Sequence, residues 1–193
     1  ALTPLQNNEA FVGLMTQFSN PLLGIAAGAL FTAVIQSSSA SVGILQALAM
    51  GGLIGLDSSV YVLFGQNIGT CITAVLAAVG TNRNAKRTTI IHLMFNIIGT
   101  IVFTTICQLT PFTDWIAGFT PDEPAAQIAS VHTIFNVTTT LLLLPFANGL
   151  AYLATRILPD LPQETPDSDV DRWFDSFFKG NKLGSSAMAI ESL

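Results

Sequence analysis

Apolar residues run in long blocks along this chain, and the few polar interruptions fall inside those blocks. Residues 1–20 form a polar lead-in and a short apolar run. Ser19-Asn20-Pro21 then carries a helix-start signal, a capping side chain with proline in the first turn. Pro21–Ile35 is apolar and rich in small residues, Gln36-Ser37-Ser38-Ser39 interrupts it, and residues 40–56 are apolar again with Gly51, Gly52 and Gly55 loosening their end. A helix from Pro21 to Ile35 extends only about 22 Å at 1.5 Å per residue, against a hydrocarbon core about 30 Å thick. The spacing therefore predicts a re-entrant helical hairpin over residues 21–56 with the polar quartet inside the membrane. Non-helical backbone at that depth is tolerated only where it is buried in protein or lines a wet cavity.

Residues 57–82 are long enough to span, but their middle reads Gly65-Gln66-Asn67-Ile68-Gly69-Thr70. Two glycines flanking two amides predict a broken transmembrane helix whose freed carbonyls face an ion. Residues 88–110 and 124–155 read as two further spans, with an acidic loop at 111–124 between them. The expected fold class is all-α: a polytopic membrane protein unit with one re-entrant hairpin, one broken helix and two scaffold helices.

Charge sharpens this picture. The chain has 193 residues, with 7 Lys plus Arg, 12 Asp plus Glu and a net charge of −5. Charged residues make up 10%, against roughly 25% in soluble domains. The cluster Arg83, Lys86 and Arg87 falls on the same side as Arg156, opposite the acidic loop, so the positive-inside bias places the basic side and the acidic tail (residues 160–193) in the cytoplasm of a multi-pass plasma-membrane protein. This balance excludes nucleic acid as a partner, because a phosphate backbone needs a basic surface. Two cysteines, Cys71 and Cys107, exclude a disulfide-stapled module. The chain opens on Ala1 with no basic leader and is expected to be a piece of a longer polypeptide.

Three constellations carry candidate chemistry. Gln36, Ser37, Ser38 and Ser39 are costly in hydrocarbon unless they face partners or water. Their hydroxyls both donate and accept, and the hairpin tip adds a helix N-terminus for an anion and a helix C-terminus for a cation. The competing reading is interhelical hydrogen bonding. The second candidate is Gln66, Asn67, Thr70 and Thr73; here the competing reading is a Gly-x-x-x-Gly packing face, which suffices for Gly24/Gly28 and Gly51/Gly55. The third is a repeated stripe, His92 with Asn96 and His132 with Asn136, each at helical i+4 spacing. It reads as two scaffold helices whose polar pairs hydrogen-bond to each other or to the broken elements. A transition-metal site is the weaker reading, since no carboxylate or thiolate is near in sequence.

No Gly-x-Ser-x-Gly elbow and no carboxylate near the serines support a hydrolase. No phosphate-cradling loop supports ATP hydrolysis, so any transport must draw on a gradient. No cofactor is expected.

Gln36-Ser37-Ser38-Ser39-Ala40, the Gly65–Thr70 element and then residues 92–99 resemble the bacterial sodium/phosphate cotransporter family, related to the animal type II sodium-dependent phosphate cotransporters. The resemblance covers about residues 11–155. It implies two such units in inverted orientation, so this chain resembles a second repeat followed by the start of a PhoU-like cytoplasmic extension near residues 185–193. It further implies half of a secondary transporter for sodium-coupled uptake of inorganic phosphate. Gln36, Ser37, Ser38, Ser39, Gln66, Asn67, Thr70 and Thr73 would be the binding residues, with sodium held through Ser38, Ser39, Asn67 and Thr70. The implied partners are phosphate, sodium, the lipid bilayer, and a first repeat or a second copy. A channel, or a carrier for another small anion on the same scaffold, is the alternative.

Overall fold

The structure, a computed structural model, describes residues 17–160. The expectations for most of the lead-in and for the acidic tail with its PhoU-like start lie outside these residues. The chain divides into two compact units at Leu158–Pro159, and the first contains every element described below.

The elements follow from caps and breakers. The Asn20 side chain accepts from the N–H groups of Leu22 (3.0 Å) and Leu23 (3.4 Å), starting α1 at Pro21–Ile35. Gln36 ends α1 in the left-handed region at φ 57° and turns the chain. Ser37 then caps α2 (Ser38–Met50), its Oγ accepting from the Ala40 N–H at 3.3 Å. α3 is Leu56–Ala78. α4 is Arg83–Leu109, capped by Asn82, whose side chain accepts from Ala85 N–H at 2.9 Å. A short helix α5 (Phe112–Phe119) follows, then α6 (Pro124–Leu143), one 3-10 turn at Leu144–Phe146, and α7 (Ala147–Ile157). All the regular structure described is helical.

Among the described residues, three segments are long and apolar enough to cross a membrane: Leu56–Ala78, Arg83–Leu109 and Pro124–Ile157. This is a membrane protein. α1 and α2, at 15 and 13 residues, are shorter apolar helices. Many large side chains point outward, among them Leu22, Leu30, Val34, Ile101 and Leu141, as lipid-facing positions do.

Several expectations are corrected. The break expected at Gly65–Thr70 is absent: α3 is one continuous helix of 23 residues. Its glycines instead admit α1 at backbone contact. A methyl at Gly65 would collide with the Ile25 carbonyl oxygen, and one at Gly69 with the Ala29 carbonyl oxygen. Reciprocally, a methyl at Gly28 would strike the Val62 carbonyl oxygen, and Gly24 faces Tyr61. Membrane helices lack a hydrophobic drive to associate and depend on such close approach, which these glycines provide between α1 and α3. Gly55, by contrast, has open space where a side chain would go. The expected span 124–155 is present as Pro124–Ile157, with one 3-10 turn inside it at Leu144–Phe146, where Pro145 supplies no N–H to the helix ladder. Arg83, Lys86 and Arg87, which lie between the expected spans 57–82 and 88–110, fall in the first turn and a half of α4, and the acidic loop contains α5.

The core is aromatic. Phe64 of α3 stacks on Phe135 of α6 at 5.3 Å between centroids, and Phe103 of α4 meets Phe135 at 5.1 Å and Phe112 of α5 at 6.0 Å. Such ring pairs lock four helices at fixed separations. α2 is tied to α6 by Gln46 Nε2, which donates to the Ala125 carbonyl at 3.0 Å.

Candidate functional site

The helices converge on a polar cleft of about 280 Å³ lined by Ser38, Asn67, Thr70, His92, Asn96, His132 and Asn136, with Phe95 as its one aromatic wall. Asn67 sits at the middle of α3 and Asn96 at the middle of α4, so the cleft lies near mid-depth of two membrane-length helices. Ser38 reaches it because Gln36 and Ser37 turn the chain at the same level. The first N–H groups of α2, at Ser38 and Ser39, have no acceptor in a preceding turn and add a donor-rich helix end.

Each helix contributes through its own i+4 geometry. Asn67 Nδ2 donates to the Leu63 carbonyl at 3.0 Å, which directs Oδ1 toward α6, where His132 Nε2 lies 3.3 Å away. With Oδ1 able only to accept, the His132 Nε2 carries the proton of that pair. Asn136 Nδ2 donates to the His132 carbonyl (2.8 Å) and Asn96 Nδ2 to the His92 carbonyl (3.0 Å). Thr70 Oγ1 donates to the Gln66 carbonyl at 2.9 Å. These bonds use N–H and O–H donors on helix carbonyls. They leave the oxygens of Thr70, Asn96 and Asn136 to accept, which suits a hard cation. No Lys, Arg, Asp or Glu is among the lining residues.

The remaining expected site residues stand apart. Gln36 is exposed as the cap of α1, Ser37 is taken up capping α2, and Ser39 is exposed. Thr73 is exposed and donates to the Thr70 carbonyl. Gln66 is buried beneath the hairpin, where Nε2 donates to the Ser41 carbonyl at 3.0 Å. Of the four oxygen ligands expected for sodium, Ser38, Asn67 and Thr70 share the cleft and Ser39 does not line it. Of the two polar stripes, one meets α3 through His132 and Asn67 and the other through Asn96 and Cys71.

Sequence reasoning missed two parts of the surroundings. Cys71 lies behind the cleft, with Asn96 Nδ2 3.4 Å from its Sγ, so a thiol far from the stripes in sequence is adjacent in space. Its position four residues after Asn67 was the available signal. Thr32 Oγ1, Ser41 Oγ and Gln66 Oε1 are buried without a partner under the hairpin; only Gln66 of these stood in a recognisable motif.

A sequence profile of the Na+/Pi-cotransporter family matches residues 2–120. The chain belongs to that family. The Bacillus subtilis uncharacterized protein YqeW is 42% identical over 132 residues, 68% of this chain and 42% of the relative. The Escherichia coli K12 putative inorganic phosphate export protein YjbB is 26% identical over 167 residues, 84% of this chain and 30% of the relative. The rat sodium-dependent phosphate transport protein 2A is 29% identical over 106 residues, 52% of this chain and 17% of the relative. The chain thus spans less than half the length of the curated relatives it matches. No solved structure matches it significantly. The Na+/Pi-cotransporter family is a transporter family, and the three spans found here fit that class.

Proposed function

We propose that this chain is one half of a secondary carrier for inorganic phosphate driven by sodium, with the polar cleft as its contribution to the transport site. The observation that carries this reading is the uncharged, oxygen-rich lining of a cleft at mid-span. An anion entering it meets donors from the Ser38 hydroxyl and the start of α2 but no basic side chain. Its charge must be offset by a cation brought along, and the accepting oxygens of Thr70, Asn96 and Asn136 suit sodium. In this reading the short α1–α2 hairpin re-enters the membrane, the basic end of α4 is cytoplasmic, and a second unit, a preceding repeat or another copy, faces the cleft and completes it. Joint occupancy by sodium and phosphate then biases a rocking of the two units.

The test is isotopic phosphate flux into proteoliposomes holding the completed carrier, with and without an imposed sodium gradient. The reading predicts saturable, sodium-dependent flux that falls about tenfold or more in Ser38→Ala and Asn67→Ala. Reversing the gradient decides between uptake and export. Unchanged flux in both variants contradicts the site, and unsaturable flux favours a pore.

A further inference from the structure

Away from the polar cleft, an apolar furrow follows α3, walled by α4 near the basic end and mainly by α1 toward mid-span. Near the basic end it has a volume of about 470 Å³ and is walled by Val79, Ile90 and Leu158, with Lys86 in its lining. A second hollow of about 320 Å³, walled by Leu30, Ile68 and Ile72, continues it toward mid-span. The two hollows adjoin at Val75 and Leu93, which line both, and together they mark one apolar track along α3. Along α3 it extends from Ile68 to Ala78, roughly 15 Å at 1.5 Å per residue, or about half of a 30 Å hydrocarbon core. The groove is therefore as long as one leaflet, apolar along its length and cationic at one end. Lys86 is exposed, and its aliphatic stem can lie along the groove while its ammonium stays at headgroup level. Arg87, at the same end, holds the Leu158 carbonyl with Nε at 3.1 Å and Nη2 at 2.9 Å, fixing one wall of the groove mouth.

We infer that this groove is a binding site for an anionic phospholipid, one acyl chain lying against Val75 and Leu93 and the phosphate paired with Lys86. Basic pockets between membrane helices select anionic headgroups in this manner. A water-soluble phosphate ester would find the cation but leave the apolar walls empty.

The experiment is native mass spectrometry of the full chain in detergent, titrated with phosphatidylglycerol, with phosphatidylcholine of the same acyl chains, and with glycerol phosphate. The expected result is one retained phosphatidylglycerol per chain, held at least fivefold more tightly than phosphatidylcholine and not displaced by glycerol phosphate. Lys86→Ala should lose that preference and Lys86→Arg should keep it. Val75→Trp, which fills the shared stretch of the groove from an exposed position, should abolish retention of both lipids. Equal retention of the two lipids, unchanged preference in Lys86→Ala, or displacement by glycerol phosphate would overturn the inference. Should Val75→Trp fail to fold by circular dichroism, the Lys86 pair of variants decides alone.

Discussion

His132 of α6 reaches Asn67 of α3, its Nε2 lying 3.3 Å from the amide oxygen, and this bond joins the last long span to the centre of the one packed against the hairpin. The α1–α2 hairpin packs on α3 as well, so the pair sets the depth and width of the cleft. Replacing His132 with Ala removes a part-buried hydrogen bond, worth about 0.5–1.5 kcal/mol, and leaves the Asn67 oxygen facing the cleft without its donor. His132→Ala should lower sodium-driven phosphate flux by about tenfold, whereas His132→Gln, which keeps an N–H donor, should retain more of it. Flux assays on the two variants check this; equal loss in both would show that the imidazole acts otherwise.

The α1–α3 contact rests on glycines, and their substitution separates packing from propensity. Gly65→Ala sets a methyl against the Ile25 carbonyl oxygen, which belongs to backbone and cannot swing aside. Overpacking of this kind costs about 1–3 kcal/mol. Gly43 of α2 has open space around it, so Gly43→Ala should be neutral or stabilising by up to about 1 kcal/mol. Thermal unfolding in detergent should show the first variant falling well below the parent and the second at or above it.

Arg87 ties the end of α7 to the start of α4 through the Leu158 carbonyl. The contact is half-buried, so its loss should cost on the order of 1 kcal/mol. In Arg87→Ala, hydrogen exchange at the amides of Ala147–Ile157 should speed several-fold while the middle of α3 keeps its protection. No local change at α7 would mean that the guanidinium contributes nothing there.

Much of this arrangement could be read from residue spacing. The i+4 steps from His92 to Asn96 and from His132 to Asn136 placed both stripes correctly on single faces, because helix periodicity is local. The Gln36–Ser39 interruption marked the turn for the same reason. Which of its hydroxyls faces the cleft was not readable: Ser37 is drawn off as a helix cap and only Ser38 turns inward, a result of the Gln36 backbone geometry. The Gly65/Gly69 pair shows the opposite failure. A glycine in a helix permits either unwinding or close approach, and the choice belongs to the neighbour, here α1, whose contact is long-range. Hydropathy alone starts α4 too late, because Arg83, Lys86 and Arg87 fall outside the apolar block, whereas the Asn82 cap carries the helix through them. Pro145 was visible, but only the completed packing shows that the chain resumes as α7.

The most direct test of the central claim is the water accessibility of Ser38. With Cys71 and Cys107 replaced by Ala, Ser38→Cys in the completed carrier should react with a small water-soluble methanethiosulfonate, and sodium with phosphate together should slow that reaction at least severalfold. Val34→Cys, on the exposed apolar face of α1, should stay unreactive in the same vesicles. An unreactive Ser38→Cys, or a reaction rate indifferent to both ions, would contradict the claim that an uncharged cleft at mid-span admits the transported ions.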